Sequence, residues 1–153
     1  MKKILIAIDY GPTSQKIAEE GYKFAKSINA HIVIVHVIEE DAYYSTISDP
    51  SIMGFSGFTD ADLKKDDKQF RKTAEDFLVK VKAYLKDDSI ETKIKKGDPA
   101  EAILKAEKGL NVDLIIIGSH SRRWLETIIM GSVTEKVLNN SHIPLLIIPT
   151  KKK

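Results

Sequence analysis

An α/β fold built on a parallel sheet is the fold class this sequence predicts, and three observations carry the prediction. Short apolar runs too brief for helices recur along the chain, among them Ile4 to Ile8, Ile32 to Val35 and Leu114 to Ile117; continuous runs of this kind mark strands buried on both faces. Segments with apolar residues at helical spacing stand between them. The two kinds alternate, five strands with four helical stretches, which implies right-handed crossovers and helices on both faces of the sheet.

In order, residues 3–9 form the first strand and residues 12–29 the first helix, with Ile17, Gly21, Phe24, Ala25 and Ile28 expected on its inward stripe. Residues 31–38 are a second strand, too β-branched to be anything but interior sheet. Residues 39–59 lose all periodicity and scatter Tyr43, Tyr44, Phe55 and Phe58 among Asp, Ser, Pro and Gly, as long loops do. The second helix is expected over residues 60–86, where Phe70, Ala74, Phe77, Leu78, Val81 and Leu85 repeat at helical spacing.

Residues 89–96 alternate Ile90, Thr92 and Ile94 with Glu91, Lys93 and Lys95, the pattern of a strand with one solvated side near a sheet edge. Asp98 as N-cap, Pro99 at the first helical position and Glu101 completing a capping box open the third helix. The fourth strand is residues 113–117, and the fourth helix runs from Ser132 to about residue 140. There Ser132 and Glu135 have the S-x-x-E spacing of a capping box, with Ser132 as N-cap. Residues 143–149 are the fifth strand.

At 153 residues and 17.1 kDa one domain over residues 1–150 is expected, large enough to bury a core without staples. The chain has no cysteine, which excludes disulfides, thiolate metal sites and thiol catalysis. No apolar run reaches the ~20 residues a membrane span requires, and Asp9 interrupts the N-terminal apolar stretch without a cleavage site after it. A cytoplasmic protein with no membrane partner is the expectation. Twenty-four basic against 22 acidic residues leave a net charge of +2, interspersed in a way that disfavours nucleic acid, which calls for a concentrated basic face. The tail Lys151-Lys152-Lys153 reads as a solvated end.

Ligands of doubly wound sheets sit at the carboxyl ends of strands where the winding direction reverses, which places a site at Asp9, Val37 and Gly118 to Ser121. Glycine and small hydroxyls at a strand end and at a helix start, Gly131-Ser132, are suited to turning several N–H groups toward one anion. Asp9 beside Gly11, Pro12 and Thr13 reads equally as a ligand-binding carboxylate and as a residue that ties down its own turn. His36 reads as a satisfied sheet residue and His120 as a loop residue. Arg122 and Arg123 read either as added charge for an anion or as surface. No P-loop, GxGxxG or nucleophile elbow is present, and no residue stands out as nucleophile or general base.

The whole chain resembles the universal stress protein family. KKILIAIDYGPTS is similar to that family's first strand and turn, VIVHVIEE to its second strand, and GDPAEAI to its third crossover. Gly118-Ser119-His120-Ser121, nine residues and then Gly131-Ser132 resemble its signature Gly-x-x-Gly, nine residues, Gly-Ser/Thr, with Ser121 in place of the second glycine. The resemblance implies a flavodoxin-like, Rossmann-like three-layer sandwich of strand order 3-2-1-4-5, and in one branch of the family bound ATP; any metal is expected to be magnesium or manganese arriving with the nucleotide.

Carried over, the resemblance implies that Asp9 contacts ribose or a metal ion and that the Val37 backbone faces adenine. Gly118, His120, Ser121, Gly131, Ser132, Val133 and Thr134 would surround ribose and phosphates, with Ala7, Ile8, Ile117 and Arg122 completing the set. A family branch that binds no ATP lacks the signature's glycines. Serine at position 121 costs on the order of 1 kcal/mol if φ must be positive and offers a hydroxyl to phosphate if it need only be small. Three readings follow: a regulatory ATP-binding module of the stress response, a non-ATP-binding interaction protein of the same fold, and a weak metal-dependent ATPase using Asp9. The apolar run Ile143-Pro144-Leu145-Leu146-Ile147-Ile148-Pro149, at a sheet edge in the family's strand order, predicts a homodimer.

Overall fold

The computed structural model describes residues 2–39, 67–119 and 130–150. Its elements are β1 (Lys3–Ile8), α1 (Ser14–Ser27), β2 (His31–Ile38), α2 (Asp67–Leu85), β3 (Glu91–Lys96), α3 (Pro99–Leu110), β4 (Leu114–Gly118), α4 (Ser132–Asn140) and β5 (Leu145–Ile148). The strands are all parallel and stand in the order β3-β2-β1-β4-β5. The chain winds outward from β1 to β3, then crosses back to β4 and β5 on the other side. The direction of winding therefore reverses between β1 and β4, whose carboxyl ends lie side by side.

Alternate residues of the central strands face two cores. Ile4, Ile6, Ile8, Ile32, Ile34 and Ile116 pack with Ile17, Ala18 and Ala25 of α1 and with Ala74, Phe77, Leu78 and Val81 of α2. Leu5, Ala7, Val33, Val35, Val37, Ile115 and Ile117 pack with Ala100, Ile103 and Ala106 of α3 and Val137 of α4. Two helices cover each face, giving the expected three layers. Gly21 allows α1 to sit close to the sheet, because a Cβ there would lie 3.0 Å from Ile6 Cδ1 and 3.3 Å from Ile116 Cγ2.

The structure departs from the expected elements in several places, and the strands β1, β3 and β5 are shorter than expected. Phe24 and Ile28 are 38% and 45% exposed, so the inward stripe of α1 is Ser14, Ile17, Ala18, Gly21 and Ala25, a narrower band suited to small residues under a closely seated helix. The first helix stops at Ser27, before residue 29, because Asn29 adopts φ 53°, the left-handed conformation that ends helices and that asparagine tolerates. Ser132 is the first residue of α4 and Gly131 its cap, with no side-chain capping bond. The Ser132 hydroxyl therefore does not close the box that its spacing with Glu135 suggested. Asp98 does cap α3, accepting from the Glu101 N–H at 3.0 Å, while the Glu101 carboxylate lies 3.8 Å from Lys136. Residues 40–59, the bulk of the expected loop, and residues 60–66, the expected start of the second helix, lie outside the described residues.

Polar side chains inside the fold join elements to one another. The buried Glu107 carboxylate accepts from Ser141 Oγ at 2.8 Å and the His142 N–H at 3.1 Å, fastening α3 to the turn between α4 and β5. Asp87, after α2, accepts from the Ser89 hydroxyl and N–H, from Tyr22 Oη at 3.0 Å and from Lys26 at 3.4 Å. These donors, Ser89 foremost, hold its carboxyl down to about 2. A carboxyl depressed in the folded state stabilises it above the unfolded value of about 3.9 and loses that contribution as pH falls toward the folded value. Urea unfolding of the wild type and Asp87→Asn should therefore show a stability difference that is constant at neutral pH and disappears between about pH 4 and 2. A difference independent of pH across that window would mean that these bonds do not favour the ionised form.

Candidate functional site

The register places the strand exits at one level. His36 pairs with Ile8 and Ile148 with Gly118, and Ile6 pairs with Ile116, so the next residues on each strand, Asp9, Val37 and Ser119, emerge together at the carboxyl edge of the sheet. The aliphatic members of the expected set lie beneath them. Ala7, Val37 and Ile117 are buried on the α3/α4 side and Ile8 on the α1/α2 side, so only their backbones reach the edge.

Asp9 ends β1 and turns the chain. Its Oδ1 accepts from the Gly11 N–H at 2.7 Å and lies 3.4 Å from Ser14 Oγ, whose hydroxyl donates to the Asp9 carbonyl. Ser14 is fully buried and its N–H reaches the Gly11 carbonyl at 3.2 Å. The turn-fixing reading of Asp9 thus has direct geometric support, and the carboxylate is held at the sheet edge by it. Beneath the turn, Tyr10 lies 4.4 Å from His36 and 5.0 Å from Phe77 between ring centroids. His36 Nδ1 is 3.1 Å from the Ile8 carbonyl oxygen, and since a carbonyl only accepts, that nitrogen carries the proton. His36 is buried structure.

Gly118 is where three elements converge. A Cβ there would lie 2.4 Å from Ile17 Cδ1, 3.1 Å from Ile17 Cγ1 and 3.1 Å from Thr150 Cγ2. A side chain at this position would have to displace the end of Ile17 and press on Thr150, a packing reason for glycine separate from any ligand. Its carbonyl accepts the hydroxyl of Thr134, a buried residue of α4, at 2.7 Å. The Thr134 side chain is accordingly turned into the protein, and what this residue offers outward is its backbone N–H.

The start of α4 has the geometry that suits an anion. Gly131 donates its N–H to the Ser119 carbonyl at 2.7 Å, and the first intrahelical bond runs from Glu135 N–H to the Gly131 carbonyl at 2.9 Å. The N–H groups of Ser132, Val133 and Thr134 precede that bond and have no partner among the described residues, as the first turn of a helix requires. Together with the helix dipole they favour negative charge. Lys136 of the same helix lies 3.3 Å from Asp98, whose carboxyl is held below its ordinary value first by the Glu101 N–H and then by this lysine.

The structure thus brings Asp9, Val37, Gly118 and the Gly131 to Thr134 turn to one edge. His120, Ser121 and Arg122 lie outside the described residues. Among the described residues no group of three or more His, Asp or Glu could hold a metal ion. Sequence reasoning placed Ser119 at the strand end without a role and missed Ser14 and Thr150, which shape the site with it; the small hydroxyls near Asp9 and Gly118 were the available signal.

The packing role of Gly118 has a testable consequence. Gly118→Ala should cost about 1–3 kcal/mol of stability by overpacking, and Ile17→Val, which removes the nearest carbon, should recover part of that loss. Chemical denaturation of the single and double variants checks this, and additive losses would show that Ile17 is not the obstacle.

The sequence profile of the universal stress protein family matches residues 1–149. Universal stress protein MJ0577 of Methanocaldococcus jannaschii is 31% identical over 156 residues, covering 98% of this chain and 96% of its own. The solved structure of hypothetical protein MJ0577 superposes with a TM-score of 0.73 at 27% identity, covering 99% of this chain and 98% of that one. Two further solved structures share the fold. One is a universal stress protein in complex with cAMP (TM-score 0.62, 18% identity, 96% of each chain). The other is the universal stress protein from Archaeoglobus fulgidus in complex with dAMP (TM-score 0.62, 14% identity, 97% of this chain and 98% of that one). The chain belongs to the universal stress protein family.

Proposed function

We propose that this protein is a cytoplasmic regulatory module that binds ATP, or another adenine nucleotide, at the carboxyl ends of β1, β2 and β4. The observation that carries the reading is the start of α4, where three backbone N–H groups have no partner among the described residues and the helix is fastened to Gly118 and Ser119. Such an end binds phosphate without any cationic side chain. The site's place at the reversal of winding supports the same reading, as do the adenine nucleotides cAMP and dAMP held by two proteins of this fold.

In this reading the N–H groups of Ser132, Val133 and Thr134 hold phosphate, Asp9 meets ribose or a magnesium or manganese ion carried with the nucleotide, and the Val37 backbone borders adenine. No group at the described edge is arranged as a general base beside a nucleophile, so the reading is of binding and release. The chain also pairs with a second copy through β5. That strand is at the edge of the sheet, and Leu145, Leu146 and Ile147 are only partly buried, leaving apolar surface and backbone groups that edge pairing would cover.

Mg-ATP at a hundredfold excess over Kd should raise the melting temperature by about 5–10 °C, from roughly 2.7 kcal/mol of linkage at about 2–4 °C per kcal/mol for a chain of this size. Asp9→Asn keeps an oxygen for the Gly11 N–H and removes the charge, so it should leave the fold intact and weaken Mg-ATP by about tenfold. Absence of any shift with ATP, ADP, AMP or cAMP at millimolar concentration overturns nucleotide binding. Separately, sedimentation at micromolar protein should show a dimer that Leu146→Lys converts to monomer; a wild type sedimenting only as monomer removes the pairing.

A further inference from the structure

We propose that Ser119 and Thr150 form a positioning pair through which the end of the last strand sets the geometry of the phosphate-binding turn, an inference that rests on the nucleotide reading for its ligand. Neither residue is required to touch the nucleotide. Ser119 is the first residue past β4, and each of its hydrogen-bonding groups joins a different piece of the fold. Its N–H donates to the Ile148 carbonyl at 2.9 Å, and its carbonyl accepts from the Gly131 N–H at 2.7 Å. Its hydroxyl accepts from the Thr150 N–H at 3.0 Å and lies 3.1 Å from Thr150 Oγ1.

Thr150 is 1% exposed, beyond the last residue of β5. Its burial is explained by what it touches. Its Cγ2 fills the space left by the missing Gly118 side chain, and its two polar groups converge on one serine oxygen. Lys16 of α1 adds a third tie, donating to the Pro149 carbonyl at 2.5 Å. The route from Thr150 to the phosphate-binding turn is therefore short: Thr150 fixes the Ser119 side chain, Ser119 presents its carbonyl to Gly131, and Gly131 caps the helix whose next three N–H groups are the anion site.

Two substitutions separate the hydroxyl from the shape of the side chain. Thr150→Val keeps the methyl against Gly118 and removes Oγ1, whereas Thr150→Ser keeps Oγ1. ATP affinity should fall by about five- to tenfold in Thr150→Val and in Ser119→Ala, the scale of one hydrogen bond, and stay within about twofold in Thr150→Ser, the variant that keeps the hydrogen-bonding oxygen. Gly131 amide exchange in the nucleotide-free protein should quicken by a similar factor in the first two and not in the third.

Unchanged affinity together with unchanged Gly131 exchange in Thr150→Val and Ser119→Ala, even with a lowered melting temperature, overturns the proposal, because a merely structural role predicts that pattern. If the wild type binds no adenine nucleotide, the proposed function fails by itself. The pair is then judged by Gly131 exchange alone, where acceleration sustains it and an unchanged rate removes it.

Discussion

The structure depends on how closely the end of β4 can be approached. Gly118 has no side chain, so Ile17 of α1 and Thr150 after β5 occupy the volume a Cβ would take, and its carbonyl is taken by Thr134 of α4. One backbone position thereby sets the distance of a helix on one face, a helix on the other face and the neighbouring strand's end. Because protein interiors are packed to the density of organic crystals, an intruding methyl group would have to displace neighbours at three contacts at once.

Helix α4 shows the same economy along its length. Its start is held by the bonds from Gly131 to Ser119 and from Thr134 to Gly118. Val137 is fully buried against α3, and beyond the last turn Ser141 and His142 are held by the buried carboxylate of Glu107. A buried carboxylate needs several donors to offset desolvation, and Glu107 has two from one turn. Thr134 and Val137 are the buried side chains of α4, and the N–H groups of its first turn stay unbonded among the described residues. Asp9 is treated similarly, for Gly11 and Ser14 fix its turn at the neighbouring exit. An anion and a ribose or cation bound at this edge would meet groups already in place, which lowers the entropic cost of binding.

Much of this was legible in the residues, though for partial reasons. Asp9, Gly118 and Gly131 stood out as members of a turn-and-glycine pattern, and the structure puts all three at one edge. The pattern did not say why Gly118 is glycine, since its obstacle, Ile17, lies about a hundred residues earlier in the chain. The S-x-x-E spacing at Ser132 pointed to a helix start correctly and to the wrong cap, because the bond from Gly131 to Ser119 draws glycine into the capping position and moves Ser132 into the first turn. The broad apolar stripe expected for α1 was too wide for the same sort of reason: helical spacing shows which side faces inward, but Gly21 brings the axis so near the sheet that Phe24 and Ile28 fall outside the contact.

By itself the sequence determined the order of elements, the helical or extended character of each, the burial of the central strands and the inward stripe of α2. These follow from backbone propensity and from the 2- and 3.6-residue periods, which are local properties of the chain. Only the tertiary structure decided that Ser119 would meet Thr150 across 31 residues, that Thr134 would spend its hydroxyl on Gly118 and that Ser14 would hold Asp9 in place. A hydroxyl can bond to any acceptor within about 3 Å, and which acceptor comes that close is settled by the packing of layers rather than by neighbours in the chain.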